Sequence, residues 1–235
     1  MSFDLETGYV IADKYEVIEK LGSGWEGEVY RVREKMIGAD RAAKLFYPVK
    51  GGRSNAPRFY ARKLHKLRHC PILIQYHTQE KIVHEGRKVT VLVSEYVDGE
   101  LLTSFVRRQP GRRLTPFEAL HLLYELASGI EIIHAAREYH GDLHDDNILF
   151  RRQGLSFNVK VVDIFDWGPP GGDNIREDVI DLIRIFYDSL GGARTYSKHP
   201  PEIKSICCGL KKSLIIEKFR TAGRLRKYIE MMEWY

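Results

Sequence analysis

Residues 140 to 150 read His140-Gly141-Asp142-Leu143-His144-Asp145-Asp146-Asn147-Ile148-Leu149-Phe150, and no other stretch narrows the possible folds as far. A carboxylate at Asp142 and a carboxamide at Asn147 stand five residues apart on one loop. Phosphoryl transfer to a hydroxyl calls for such a pair, the first to accept the proton of an attacking alcohol and the second to hold magnesium against a triphosphate. A polar turn before a strand explains any one of these residues. It explains poorly the ordered set with its apolar flank.

The chain has 235 residues, enough to bury a core in one domain or in two lobes. No apolar run is long enough to span a bilayer, and Met1-Ser2-Phe3-Asp4 lacks the basic-then-apolar order of a secretion signal. A cytoplasmic protein without a membrane partner is expected. Cys70, Cys207 and Cys208 make an odd count with no zinc-like spacing, so reduced structural thiols are expected. The net charge of +5 is unevenly placed. From Arg41 to Gln79 the charged residues are all basic: Arg41, Lys44, Lys50, Arg53, Arg58, Arg62, Lys63, Lys66 and Arg68. Such a surface suits an acidic protein partner; with no aromatic stacking pattern or nucleic-acid motif beside it, nucleic acid is not expected.

Alternation over Lys14–Leu21 predicts a half-buried strand. It runs into Gly22-Ser23-Gly24-Trp25-Glu26-Gly27-Glu28-Val29, whose glycines let backbone amides approach phosphate oxygens. A strand-like Glu28–Val32 follows where a dinucleotide-binding fold requires a helix, which excludes that fold. Arg41–Phe46 predicts a strand with Lys44 among apolar neighbours, a costly position unless the ammonium meets an anion. Pro57–His69 reads as an amphipathic helix on Phe59, Leu64 and Leu67. Strands are expected over Ile72–Gln79 and Lys81–His84, a turn at Glu85-Gly86-Arg87, and a buried strand over Val89–Ser94. Composition turns polar from Glu95 to Gly99, and the boundary between two domains, 1–97 and 98–235, is expected there.

Thr115-Pro116-Phe117-Glu118 is a helix start with a capping box, and the apolar face of that helix runs to about Ala136. A strand over Phe157–Val162 ends at Asp163. Asp178–Leu190 predicts a helix stopped by Gly191-Gly192, and the remainder reads as two helices separated near Ala222-Gly223.

Taken together, the glycine loop, the strand lysine, Glu95-Tyr96-Val97, His140-Gly141-Asp142-Leu143 with Asn147, and an aspartate ending the next strand resemble the protein-kinase superfamily over roughly residues 14 to 190. The resemblance implies an α+β, bilobal fold, with an antiparallel sheet and one helix in the N-lobe and a compact, mainly helical C-lobe. It implies that Gly22, Ser23, Gly24, Gly27 and Val29 cover the phosphates of ATP and that Lys44 binds them. Glu95 and Val97 would contact adenine through their backbone, with Ser94 as a small gatekeeper. Asp142 would be the catalytic base, and Asn147 and Asp163 the Mg2+ ligands. Asp166-Trp167-Gly168 looks more like the family's metal-binding triplet, yet Asp163 directly ends the apolar strand and is preferred.

Departures from the family bear on function. The helix that should pair a glutamate with Lys44 has no acidic residue, and the expected position falls near Tyr60; Glu26, Glu28 and Glu80 are the candidates to hold the lysine. Gly141 replaces the arginine that reads activation-loop phosphorylation, and the segment from Asp163 to Asp178 is short. His-Gly-Asp-Leu-His is similar to the aminoglycoside and choline phosphotransferase branch, whereas the N-terminal half is similar to serine/threonine protein kinases. The first expectation is therefore an ATP- and Mg2+-dependent kinase acting on protein serine or threonine. The alternatives are a phosphotransferase acting on a small hydroxylated substrate and a pseudokinase that binds nucleotide without turnover.

Overall fold

Apolar and polar residues alternate along the strand segments of the first hundred positions, and these segments pair into one sheet. The computed structural model describes residues 2–48, 56–154 and 156–233. They divide into two compact units, one within Met1–Arg68 and Ile74–Val97, the other within His69–Leu73 and Asp98–Tyr235.

In the first unit, β1 (Val10–Ile11), β2 (Tyr15–Ser23), β3 (Gly27–Glu34), β4 (Asp40–Phe46), β5 (Tyr76–His84) and β6 (Arg87–Glu95) form one antiparallel sheet, in the order β1-β2-β3-β4-β6-β5. Helix α1 (Ala56–Lys66) lies against β5 and β6. Side chains alternate across a strand, so register decides which face each one takes. Ala43 and Leu45 of β4 pair with Val93 and Val91 of β6. Together with Val17, Tyr30, Val32 and Val89 they build the core on one face of the sheet. Lys44 falls by the same alternation on the opposite face, with Phe46, whose ring meets Tyr60 of α1 edge-on at 6.2 Å.

Three expectations are corrected here. The two strands foreseen over Ile72–Gln79 and Lys81–His84 are the single strand β5, because no turn former interrupts it; Ile72 and Leu73 instead belong to the second unit, where Ile72 O accepts from Val161 N–H at 2.6 Å. Helix α1 ends at Lys66 and buries Pro57, Tyr60, Lys63 and Leu64, with Phe59 only partly covered. The basic run is not one surface: Lys44 and Lys63 are turned inward, Arg41 pairs with Glu34, and Arg58, Arg62, His65 and Lys66 are exposed on α1. Lys50 and Arg53 lie outside the described residues.

The second unit is mainly helical. A small antiparallel sheet of β7 (Glu100–Leu101), β8 (Ile148–Gln153) and β9 (Ser156–Val161) accompanies α2 (Leu102–Arg108), α3 (Pro116–Ala135), α4 (Gly172–Ser189), α5 (Pro201–Cys207), α6 (Lys212–Lys218) and α7 (Ala222–Glu230). The capping box of α3 forms: Thr115 Oγ1 accepts from Glu118 N–H at 3.3 Å, and the Glu118 carboxylate accepts from Thr115 N–H at 3.0 Å. Helix α4 begins at Gly172, six residues before the expected start, since its first turns are polar and show no apolar period. The C-terminal stretch holds three helices instead of two. The expected separation near Ala222-Gly223 falls at residues 219–221, between α6 and α7. Among the described residues no helix is long and apolar enough to cross a membrane.

A carboxylate stands inside the core of the first unit. Glu28 shares the parity of Tyr30 on β3 and is 1% exposed. It accepts hydrogen bonds from Ser2 Oγ (2.7 Å), Phe3 N–H (3.1 Å), Tyr47 OH (3.1 Å) and Tyr30 OH, with Lys20 Nζ at 3.1 Å. Burial alone would raise its pKa; these donors outweigh burial and bring it from 4.5 to about 2. A depressed carboxylate stabilises the fold above its unfolded pKa, and that contribution is lost as pH falls through the folded value. Stability should therefore decline as pH falls from 4.5 to about 2. Glu28→Gln should cost about 3 kcal/mol at neutral pH and flatten that decline, which urea titrations at neutral and acid pH would measure.

Candidate active site

The glycine-rich turn joins β2 to β3. Gly22 and Ser23 end β2, Gly24 N–H donates to Gly27 O at 2.8 Å, and Tyr47 N–H donates to Glu26 O at 2.8 Å. Gly27 is obligatory for packing, because a Cβ would lie 1.9 Å from Leu45 O. At Gly22 and Gly24 a Cβ would meet open space, so neighbouring atoms do not explain those two glycines.

Lys44 sits opposite Val29 in the β3–β4 register, its side chain 12% exposed. Of the three carboxylates weighed from sequence, Glu26 is the one it meets, at 3.1 Å. Glu28 is turned to the core face, and Glu80 pairs with Lys14 at 2.7 Å. Where the helix carboxylate was sought, α1 presents a ring: Lys44 Nζ lies 4.7 Å from the centre of Tyr60 and 5.4 Å from that of Phe46. At the end of β6, Ser94 is buried, Glu95 N–H donates to Gln75 O at 2.8 Å, and the Glu95 carboxylate accepts from Gln75 N–H at 3.0 Å. Val97 lies two residues beyond the strand.

In the second unit the loop from His140 to Asn147 is braced from beneath. Asp178 of α4 is fully buried and accepts His140 N–H (2.7 Å), Gly141 N–H (2.9 Å) and His134 Nε2–H (3.0 Å). Burial would raise its pKa, but the hydrogen bonds from His134 and the two amides hold the carboxyl below its ordinary 3.8. The buried His140 ring joins two segments: its Nε2–H donates to Val162 O at 3.0 Å and its Nδ1 accepts Asp142 N–H at 3.3 Å. Those partners define the neutral tautomer with the proton on Nε2.

Asp142 is half-exposed, and Asn147 is buried. Asn147 Nδ2 donates to Asp142 O at 2.8 Å and to Asp142 Oδ2 at 3.2 Å, so Oδ1 is the atom of this amide that could serve a cation. That oxygen and a carboxylate suit magnesium, a hard cation that takes oxygen donors. Val162 N–H donates to Asn147 O at 2.9 Å, and Phe165 N–H donates to His140 O at 3.0 Å. Asp163 lies between these two tied residues, in the left-handed region at φ 57°. Asp166 instead is exposed, and its carboxylate accepts Gly168 N–H at 2.9 Å. Backbone bonds thus flank Asp163 on both sides, at Val162 and Phe165, whereas Asp166 lies beyond them.

A second brace was not foreseen. The buried Tyr139 hydroxyl accepts Trp167 N–H at 2.7 Å and donates to Gly168 O at 2.8 Å, while Trp167 Nε1–H donates to Gly141 O at 2.7 Å. Gly141 has φ 86°, and a Cβ there would lie 2.8 Å from the Tyr139 ring. Beside it, His144 Nε2 lies 3.7 Å from Asp142 Oδ2, and the ligand atoms of His144, Asp145 and Asp146 fall within 4.8 Å of one another. The sequence reading assigns no such role to Asp178, His134, Tyr139, Trp167 or Tyr60. The one available signal was a histidine and an aspartate on otherwise apolar helix faces.

A family model described as a protein kinase domain matches residues 15–170. Cyclin-dependent kinase B2-2 of Arabidopsis thaliana is 31% identical over 163 residues, 65% of this chain and 49% of that protein. The probable serine/threonine-protein kinase PknB of Corynebacterium glutamicum is 29% identical over 158 residues, 66% of this chain and 24% of that protein. The chain thus spans about half, or less, of the length of these relatives. A mutant PknI kinase domain from Mycobacterium tuberculosis shares the fold, with a TM-score of 0.68 over 96% of this chain and 98% of that chain, at 18% identity.

Asp178→Asn keeps the shape of the brace but turns one acceptor oxygen into a donor facing backbone N–H groups. A loss of about 2–4 kcal/mol is expected, read as a lower urea midpoint. In the wild type the contribution of Asp178 should persist above pH 3.8 and fade below it; the variant should lack that dependence.

Proposed function

We propose, from the premise that this chain belongs to the protein kinase family, that it transfers the γ-phosphate of ATP to a serine or threonine hydroxyl of a protein. The observation that carries this reading is the bond from Asn147 Nδ2 to Asp142, within a frame that also ties Val162 and Phe165 to the loop. Asp142 would accept the proton of the attacking hydroxyl as the oxygen–phosphorus bond forms. Asn147 Oδ1 and the Asp163 carboxylate would hold magnesium, which supplies charge neutralisation on the phosphates when bound. Lys44 and the amides from Gly22 to Val29 would hold the phosphates, and the backbone of Glu95 and Val97 the adenine. Catalysis then comes from positioning and electrostatics, with no covalent enzyme intermediate.

A second acceptor class has its own support. Helix α4 already begins at Gly172, which shortens the segment after Asp163, and the cluster of Asp145 and Asp146 beside Asp142 would favour a cationic hydroxylated molecule. The exposed Arg58, Arg62 and His65 on α1 support an acidic protein partner in either case.

Mass spectrometry after incubation with magnesium, ATP and a generic protein substrate tests the reading. Phosphate on serine or threonine is expected with the wild type, and about 10²–10⁴-fold less with Asp142→Ala at nearly unchanged ATP affinity. Turnover of small cationic alcohols alone would favour the second acceptor class. Nucleotide binding without turnover of any acceptor would sink the enzymatic reading.

A further inference from the structure

From Arg41 to Gln79 the chain carries no aspartate or glutamate, so α1 has no carboxylate to offer Lys44. It offers a ring. Tyr60 is 3% exposed, its centre lies 4.7 Å from Lys44 Nζ, and Phe46 flanks the same ammonium at 5.4 Å. The face of an aromatic ring attracts a cation through its quadrupole, and exclusion of water strengthens that attraction.

We propose that Tyr60 is a positioning residue: its ring, carried by α1, holds the Lys44 ammonium by cation–π attraction and keeps it aimed for phosphate. The inference rests on the phosphotransferase reading above, in which Lys44 binds the phosphates of ATP. A ring suits the task for a physical reason. A carboxylate partner cancels part of the lysine charge and competes strongly with an incoming phosphate for its N–H donors, whereas a ring face engages them only weakly and carries no charge to cancel it. Glu26, a carboxylate that Lys44 meets at 3.1 Å, comes from the glycine-rich turn itself. It is the exchangeable partner, given up when phosphate reaches the turn, and Tyr60 is the one that stays. Lys44 is therefore linked to α1 by packing against an aromatic face, so α1 must keep its ring in contact for the lysine to be held.

The test replaces Tyr60 by phenylalanine and by phenylalanines carrying one, two and three ring fluorines. These differ little in size but progressively lose the negative ring face. The affinity of the full chain for magnesium-ADP is measured by calorimetry, with thermal melting as a check on folding. Tyr60→Phe should bind within about twofold of wild type, and affinity should fall stepwise with fluorine number by roughly fivefold across the series at constant melting temperature. Tyr60→Leu, which removes the ring face outright, should bind at least as weakly as the most fluorinated variant. Wild-type binding with a flat fluorine series would overturn this inference alone. A wild-type chain that binds no magnesium-ADP would overturn the nucleotide reading and this inference with it.

Discussion

The second unit depends on one buried charge. Asp178 reaches no solvent, and an ionised carboxylate in that position is tolerated only if donors surround it. The donors available are backbone N–H groups of a segment that belongs to no helix or strand, His140 and Gly141, with the ring of His134 from α3. The dependence runs both ways: the carboxylate needs the loop in that conformation, and the loop, which has no ladder of its own, needs the carboxylate. His140 then passes the constraint on, because its ring bonds Val162 O and Asp142 N–H at once. Three segments distant in sequence are thereby held in one frame, around the base and the metal ligands proposed for phosphoryl transfer.

Gly141 makes sense inside that frame. With φ at 86° and Tyr139 2.8 Å from where a Cβ would be, the position has no room for the side chain that family resemblance leads one to expect. Its carbonyl instead receives the Trp167 indole, while Tyr139 receives the Trp167 amide. The segment after Asp163 is thus anchored to the loop by neutral hydrogen bonds. Such contacts exist without any added phosphate, which fits a chain in which charge-reading through an arginine at this position is absent.

Much of this was legible in the sequence, and the boundary of legibility follows the range of the interaction. Periodicity found β2, β3, β4, β6, α3 and β9 because each has one face buried by near neighbours in sequence. The capping box at Thr115 and Glu118 is local and was read outright. What failed was non-local. Ile72 and Leu73 look like the start of a strand, yet they are claimed by Val161 and by the space over Gly129. At the candidate site, Asp142, Asn147 and Lys44 announce themselves by residue type within a motif. Asp178 and Tyr60 do not, since an aspartate in a helix and a tyrosine in a basic helix have many ordinary uses, and only the fold brings them to a loop and a lysine.

The choice between Glu26 and Glu28 as the neighbour of Lys44 shows how little is needed to decide such a case. Both stand beside the same glycine, and by composition they are equivalent. The pleat separates them: Glu28 is in register with Leu45 and shares its face, whereas Lys44 points the other way. Glu28 is thereby committed to Ser2, Phe3, Tyr30, Tyr47 and Lys20, and is held ionised in the core by them. Glu26 lies one step before β3 begins, on backbone that the pleat does not govern, and can therefore turn back to the lysine. A register slip of one residue in β3 would exchange these environments, putting the Glu28 carboxylate on the lysine face and an apolar residue among five polar donors. The register of a single strand pair thus keeps the buried carboxylate that stabilises the sheet apart from the Lys44 ammonium on the opposite face.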